Sequence, residues 1–222
     1  MQPEEDITTL IKFSSWKYIN DLQKGKIYMN TLGYFKNCES KIHQDDFEGI
    51  DVFHQAKDII SIKIESQNIK PINLTKETGL INFRSGRTSN NFINIFCMYL
   101  WMVNKHNIYK IDTRVLKFGE AALIITNANE FMRRIKRAIK RDNFIYQSQA
   151  VEYFDENTHH GDVGIFKKRK SFEYMNEYRI AVKAKMDNNP YILDIGDIFD
   201  ISAAISSHEI NNLKIDYHQK VS

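Results

Sequence analysis

GIFKKRKSFEYMNEYRIAVK, residues 164–183, is the stretch on which the reading of this chain turns. Near its end, Tyr178, Ile180 and Val182 alternate with Glu177, Arg179 and Lys183. A period of two is the signature of a β-strand with one apolar and one polar face. Glu177 and Arg179, two residues apart, then project from the same face. A basic cluster, Lys167, Lys168, Arg169 and Lys170, runs ahead of them. Two readings stand. One is a site that uses both charges. The other is an exposed edge strand carrying a surface Arg–Glu pair, which contributes little.

Outward from this strand, similar patterns recur. Strands are predicted at Ile7 to Phe13, Lys26 to Asn30, Ile59 to Glu65, Leu80 to Arg84, Phe92 to Trp101, Ala121 to Thr126, Ala150 to Phe154 and Tyr191 to Asp194. The strongly apolar run from Phe92 to Trp101 is expected at the centre of a sheet. Ser14 or Ser15 is placed to cap a helix over Trp16 to Gln23, which Gly25 ends. Asn127 or Asn129 opens a second helix, Glu130 to Arg141, with Phe131, Ile135 and Ile139 as its core stripe. A third short helix is expected within Asp197 to Ser206. Thr31 to Gly49 reads as a long polar loop. Strands outnumber helices without alternating with them. The expected class is therefore α+β, with a mixed, largely antiparallel sheet and a few flanking helices.

Composition narrows the function classes. A chain of 222 residues with 42% hydrophobic content suits a single domain over 1–222 with a substantial core. A net charge of +3 does not by itself point to nucleic acid. Cys38 and Cys97 lie far apart and follow no metal spacing, so both are expected as reduced thiols in a cytoplasmic protein. The N-terminus lacks an apolar signal core, and no apolar run approaches the ~18 residues of a membrane span. H-E-x-x-H, Gly-rich phosphate loops, G-x-S-x-G and C-x-x-C are all absent, which counts against the common metalloprotease, nucleoside-triphosphatase and serine-hydrolase readings.

Three further groups carry chemistry. Asp45, Asp46 and Glu48, with Glu39 and His43 nearby, form a set that suits a divalent cation or acid–base work. The same residue types also favour turns. His159 and His160 fall in a polar turn. The helix Glu130 to Arg141 carries Arg133, Arg134, Lys136, Arg137, Lys140 and Arg141, either as a solvated face or as a phosphate-tracking surface paired with the loop Arg84 to Arg87 and with Lys167 to Lys170.

The order of several motifs resembles a widespread family of bacterial and phage proteins linked to abortive infection. They are Lys12-Phe13, Gly25 to Tyr28, Tyr34-Phe35-Lys36 with Glu39, Asp45 with Glu48-Gly49, Phe96-Cys97, and Phe172 with Glu177 to Ile180. Phe172 stands where that family has tryptophan, and Met175 where it has a first glutamate. The opening, IKFSSWKYINDLQKGKIYMN, is similar to the start of ADP-ribosyltransferase-like folds, with a strand, a helix, a glycine and a second strand. This resemblance implies a split sheet and the use of NAD as substrate, with no metal. It implies transfer of ADP-ribose to a nucleic acid or protein target in phage–host conflict, as a toxin or defence enzyme. Lys12 would stand at the first-strand His or Arg position and Glu177 at the late-strand carboxylate, as catalytic residues. Ser14, Tyr28, Arg84 and Arg179 would hold the dinucleotide, and Arg133, Arg137, Lys140, Lys168 and Arg169 a nucleic-acid target. The alternatives are a non-enzymatic protein that binds a nucleotide, a nucleic acid or a defence protein, and a metal-dependent nuclease using Asp45, Glu48 and Glu177. The resemblance leaves the oligomeric state open.

Overall fold

The predicted strands form, and most of them join one antiparallel sheet in a computed structural model that describes residues 7–37, 47–75, 77–78, 82–85, 88–104, 107–108, 110–184, 187 and 189–214. In chain order, the first elements are β1 (Ile7–Ser14), α1 (Trp16–Gln23), β2 (Lys26–Thr31), α2 (Leu32–Lys36), β3 (Val52–Gln55), β4 (Ile62–Ser66), β5 (Ile69–Leu74) and β6 (Asn82–Ser85). There follow β7 (Asn94–Asn104), β8 (Asn107–Ile108), β9 (Ala121–Ile125), α3 (Ala128–Arg141), β10 (Ile145–Ala150), β11 (Glu152–Phe154), β12 (Gly161–Asp162), β13 (Lys167–Arg169), β14 (Glu177–Lys183), β15 (Tyr191–Asp194) and β16 (Ser202–Ser206). The main sheet runs β10-β14-β7-β1-β9-β16, and β2 brings β15 to it. Among the described residues, β11 and β13 form a parallel pair, so the fold is α+β with mixed but largely antiparallel pairing. No described helix is long and apolar enough to cross a membrane.

Both faces of the sheet are covered, so its central strands alternate between two apolar cores. On one face, Leu10, Phe96, Met98, Leu123, Ile180 and Val182 pack against α1 and α3 through Ile19, Leu22, Phe131, Ile135 and Ile139. On the other, Ile11, Phe13, Trp101 and Ala122 meet Ile111, Val115 and Ile210. Asn127 caps α3 by accepting the Glu130 N–H at 3.0 Å. Ser15 occupies the N-cap of α1 without a side-chain cap bond, and Glu120 instead accepts the Trp16 N–H at 3.0 Å. Gly25 follows α1 at φ +84°, and a Cβ there would stand 2.0 Å from the Gly196 carbonyl oxygen. Only glycine closes that contact.

Four expectations are corrected. The Glu177 strand is no edge: β14 lies between β10 and β7, so Glu177 and Arg179 are enclosed. The short helix expected within Asp197 to Ser206 forms only as a 3-10 turn at Phe199–Ile201, and residues 202–206 form a strand instead, because β9 offers them an open edge. The loop expected from Thr31 contains α2, capped by the Thr31 hydroxyl accepting the Tyr34 N–H. The strand β10 fell outside the expected ranges except at Ala150. Its sequence IYQSQA keeps a weak period-two signal, and its residues are half-buried or exposed. Cys38, Glu39, His43, Asp45 and Asp46 lie outside the described residues.

The pairing of β7 splits the sheet. Tyr99 to Val103 pair with β1 from Ile11 back to Ile7, while Asn94 and Ile95 pair on the same edge with Thr31 and Asn30 of β2. Beyond Ile11, β1 pairs with β9 instead. Phe96, Cys97 and Met98 therefore lack a ladder partner on that edge among the described residues, and a cleft opens between β1 and β2.

Candidate active site

The split is lined from β1 by Lys12 and Ser14, from β2 by Lys26 and Tyr28, from β7 by Phe96 to Tyr99, and from β14 by Glu177 and Arg179. Tyr18, Asp21, Tyr34, Phe35 and Lys168 also line this cavity of about 530 Å³. That volume lies within the range of small-molecule sites, roughly 300–1,000 Å³. At the split, Lys12 Nζ donates to the Cys97 carbonyl at 2.7 Å, in place of an adjacent strand. It also lies 4.8 Å from the centre of the Phe96 ring. Tyr18 and Tyr28, both exposed, stand with ring centroids 5.9 Å apart on the rim.

Beside the cleft lies a buried ion cluster. The Arg179 side chain is fully buried. Its Nε donates to Glu177 Oε1 at 2.7 Å, and its Nη2 and Nη1 donate to Glu48 Oε1 at 2.7 Å and Oε2 at 3.1 Å. Nη1 also donates to the Ile165 carbonyl. Lys168 Nζ donates to Glu177 Oε2 at 2.9 Å and lies 3.4 Å from Glu48 Oε1. Two cations thus meet two carboxylates, with bidentate geometry on Glu48. Burial alone would push the Glu177 carboxyl up, but the charges of Arg179 and Lys168 outweigh it and hold the group well below the usual carboxylate range. Burial opposes the charge on Lys168 as well, yet Glu177 and Glu48 keep that ammonium protonated far above its ordinary range. Tyr153 also meets Glu177. Its hydroxyl oxygen accepts the Glu177 backbone N–H at 2.9 Å, and burial raises its pKa.

Lys12 behaves differently. Burial lowers its pKa, opposed only in part by Cys97 and Glu177, and no ion pair to it is found among the described residues. Burial likewise pushes the Cys97 thiol up to about 12, so it stays protonated at neutral pH.

The structure brings Lys12, Ser14, Tyr28, Glu177 and Arg179 to one cleft and leaves Arg84 out of its lining. Arg84 packs over the Phe47 ring at 5.0 Å, and Arg169 packs over the same ring at 4.9 Å. Arg169 also donates to Glu156 at 3.3 Å. Lys168 is buried and cannot serve a basic surface. Nor does the fold join its segment to α3. Helix α3 packs on the face of β14 that carries Ile180, whereas Lys168 meets Glu177 on the opposite face. Arg133 and Arg134 are both tied to Glu130, and Arg134 also to Asp200. Lys136, Arg137 and Lys140 remain exposed on α3.

Among the described residues, no group of three or more metal-ligating side chains converges. Glu48 and Glu177 are within reach of each other's partners, but Arg179 and Lys168 fill the space where a cation would bind. His160 Nε2 lies 3.1 Å from His54 Nδ1, and His160 Nδ1 lies 3.4 Å from Asp58, away from the cleft lining. Sequence reasoning missed the pairing of Glu48 with Arg179. Its signal was the apolar flank of Glu48: Phe47 and Ile50 carry that turn into a core with Phe53, Phe154 and Val163. Comparison with family models, with curated proteins and with solved structures finds no match to this chain.

Proposed function

We propose that the cleft binds a nucleotide, with NAD as the expected ligand, and that the protein transfers ADP-ribose from it to a nucleic acid or protein. The observation that carries this reading is the meeting of Lys12 and Ser14 from β1, Tyr28 from β2 and Glu177 from the sequence-distant β14 along one cavity of about 530 Å³. Tyr18 and Tyr28 offer a rim on which a base or nicotinamide ring can stack. Lys26, exposed on β2, is an amine of the cleft lining available for phosphate oxygens. Glu177, fixed as an anion, is a poor proton acceptor, so its part in this reading is charge stabilisation of a ribosyl cation rather than general-base work. Arg179 spends its donors on Glu48, Glu177 and Ile165 and acts as a positioning residue rather than a pyrophosphate ligand.

One observation favours a second reading, a nucleotide-binding protein without catalysis: both Glu177 oxygens already accept a cation. A single experiment separates the two. Thermal denaturation is followed with NAD, ADP-ribose, single-stranded nucleic acid or divalent metal, and nicotinamide release is measured in parallel. Binding at ~100 times Kd stabilises by about 2.7 kcal/mol. Stabilisation by NAD with slow nicotinamide release, lost in Glu177→Gln, supports the transferase. Stabilisation without release supports the binder. No stabilisation by any nucleotide overturns both, and stabilisation by metal alone restores the nuclease reading.

A further inference from the structure

Lys12 and Lys168 line the same cleft in different surroundings. Lys168 is held by two carboxylates. Lys12 has a carbonyl and a ring face for neighbours, and among the described residues no carboxylate pairs with it. We infer that Lys12 is an imine-forming amine, and that its partner is the aldehyde carbon of an open-chain, phosphate-bearing pentose bound in the cleft. The choice of pentose rests on the nucleotide reading above; the reactivity of the amine does not.

The geometry is suited to attack. Lys12 rises from β1 at the gap where β7 has no neighbouring strand, so its nitrogen stands in the wall of the cavity rather than beneath it. One N–H is committed to the Cys97 carbonyl, which fixes the position of the nitrogen. Desolvation favours the neutral amine, which alone has the lone pair. The titratable groups facing it are Glu177, held ionised, and Cys97, held as the thiol. Arg179 and Lys168 are spent on the carboxylates, so the amine is not recruited into an ion pair.

The step balances without a redox partner. The Nζ lone pair adds to the carbonyl carbon, and the carbonyl oxygen takes a proton from water. The nitrogen loses one proton to the hydroxide so formed, the carbinolamine hydroxyl takes a proton and leaves as water, and the nitrogen gives up its second proton, so that the amine and the aldehyde give an imine plus one water. A pentose with a free anomeric carbon supplies the aldehyde, and Lys26, which lines the cleft from β2, is available for its phosphate.

Ribose 5-phosphate is the probe, because it carries aldehyde and phosphate without a base. The full chain is incubated with it and with cyanoborohydride, which reduces an imine to a stable secondary amine, and the adduct is mapped by peptide mass spectrometry. The expected result is a first adduct at Lys12, formed at least tenfold faster than at exposed Lys17, Lys24 or Lys136, and absent from folded Lys12→Arg and Lys12→Met. Early labelling of the exposed lysines with Lys12 unmodified overturns the inference. Mapping on the wild-type chain decides the matter even if both variants fail to fold. A thermal shift with NAD in the same preparation reports separately on the nucleotide reading.

Discussion

Glu177 accepts Lys168 on one oxygen and Arg179 on the other, and it is almost wholly buried. Removing one partner from such a cluster leaves uncompensated charge in a poorly solvated place, a loss of about 3–5 kcal/mol. Glu177→Gln is therefore expected to destabilise the fold by about that much at pH 7, read from urea midpoints. A change within about 1 kcal/mol, as for a surface pair, would contradict the buried cluster. The pH dependence has a definite sign. The carboxyl's folded pKa lies below the ordinary value of 4.5, so the unfolded chain binds the proton more readily. The stabilisation is then complete above about pH 4.5 and lost progressively as pH falls from there toward the depressed folded value. Wild type should lose more stability than Glu177→Gln between pH 6 and pH 3, in urea titrations at each pH. Parallel curves would remove Glu177 as the source.

At the scale of the element, α3 shows how one helix serves two purposes. Phe131, Ile135, Ala138 and Ile139 are buried, while its basic residues face outward or pair with Glu130 and Asp200. Ile135→Ala deletes a fully buried side chain and should cost about 2–5 kcal/mol. Asn127→Ala removes the N-cap acceptor and should cost about 1 kcal/mol. Arg137→Ala and Lys140→Ala should stay within about 0.5 kcal/mol. Chemical denaturation of the four variants tests that order, and an Arg137→Ala loss equal to that of Ile135→Ala would contradict it. Gly25 joins two elements rather than shaping one. A side chain there meets the Gly196 backbone and requires φ +84° of a residue that resists it. Gly25→Ala should cost about 2–5 kcal/mol, from strain and overpacking together. A thermal midpoint equal to wild type would show that the contact is not made.

For the whole molecule, the question is whether its positive charge forms one surface. The fold places α3 and the Lys167–Lys170 segment on opposite faces of β14, and Lys168 is buried. Any nucleic acid held by α3 would meet Lys136, Arg137 and Lys140, with Arg133 tied to Glu130. Changing Arg137 and Lys140 together to Gln should reduce the log–log salt slope of nucleic-acid binding by about 1.4–1.8, at roughly 0.7–0.9 per phosphate contact. Lys168→Gln should affect stability rather than that slope. Filter binding across salt concentrations measures both effects, and a flattened slope in a folded Lys168→Gln protein would contradict the buried assignment.

How much was legible in the sequence follows from what each feature depends on. The span of α1 and the strands β1, β2, β7, β9, β14 and β15 were readable because period and capping are local, repeating signals that need no partner. The shared face of Glu177 and Arg179 was readable for the same reason. Residues 202–206 were misread as helix because a five-residue strand with little alternation is fixed by the open edge of β9, not by its own pattern. The enclosure of Glu177 needed the positions of β7 and β10 on either side of it. The partnership of Arg179 with Glu48 spans 131 residues, and a local pattern carries no information about contacts at that separation. The sequence by itself determined the α+β class, the core stripe of α3 and the residue types that line the cleft. Tertiary structure alone decided the split at Phe96 to Met98, the lack of an ion-pair partner for Lys12 among the described residues and the burial of Lys168, because strand order, desolvation and charge pairing arise only once distant segments share one interior.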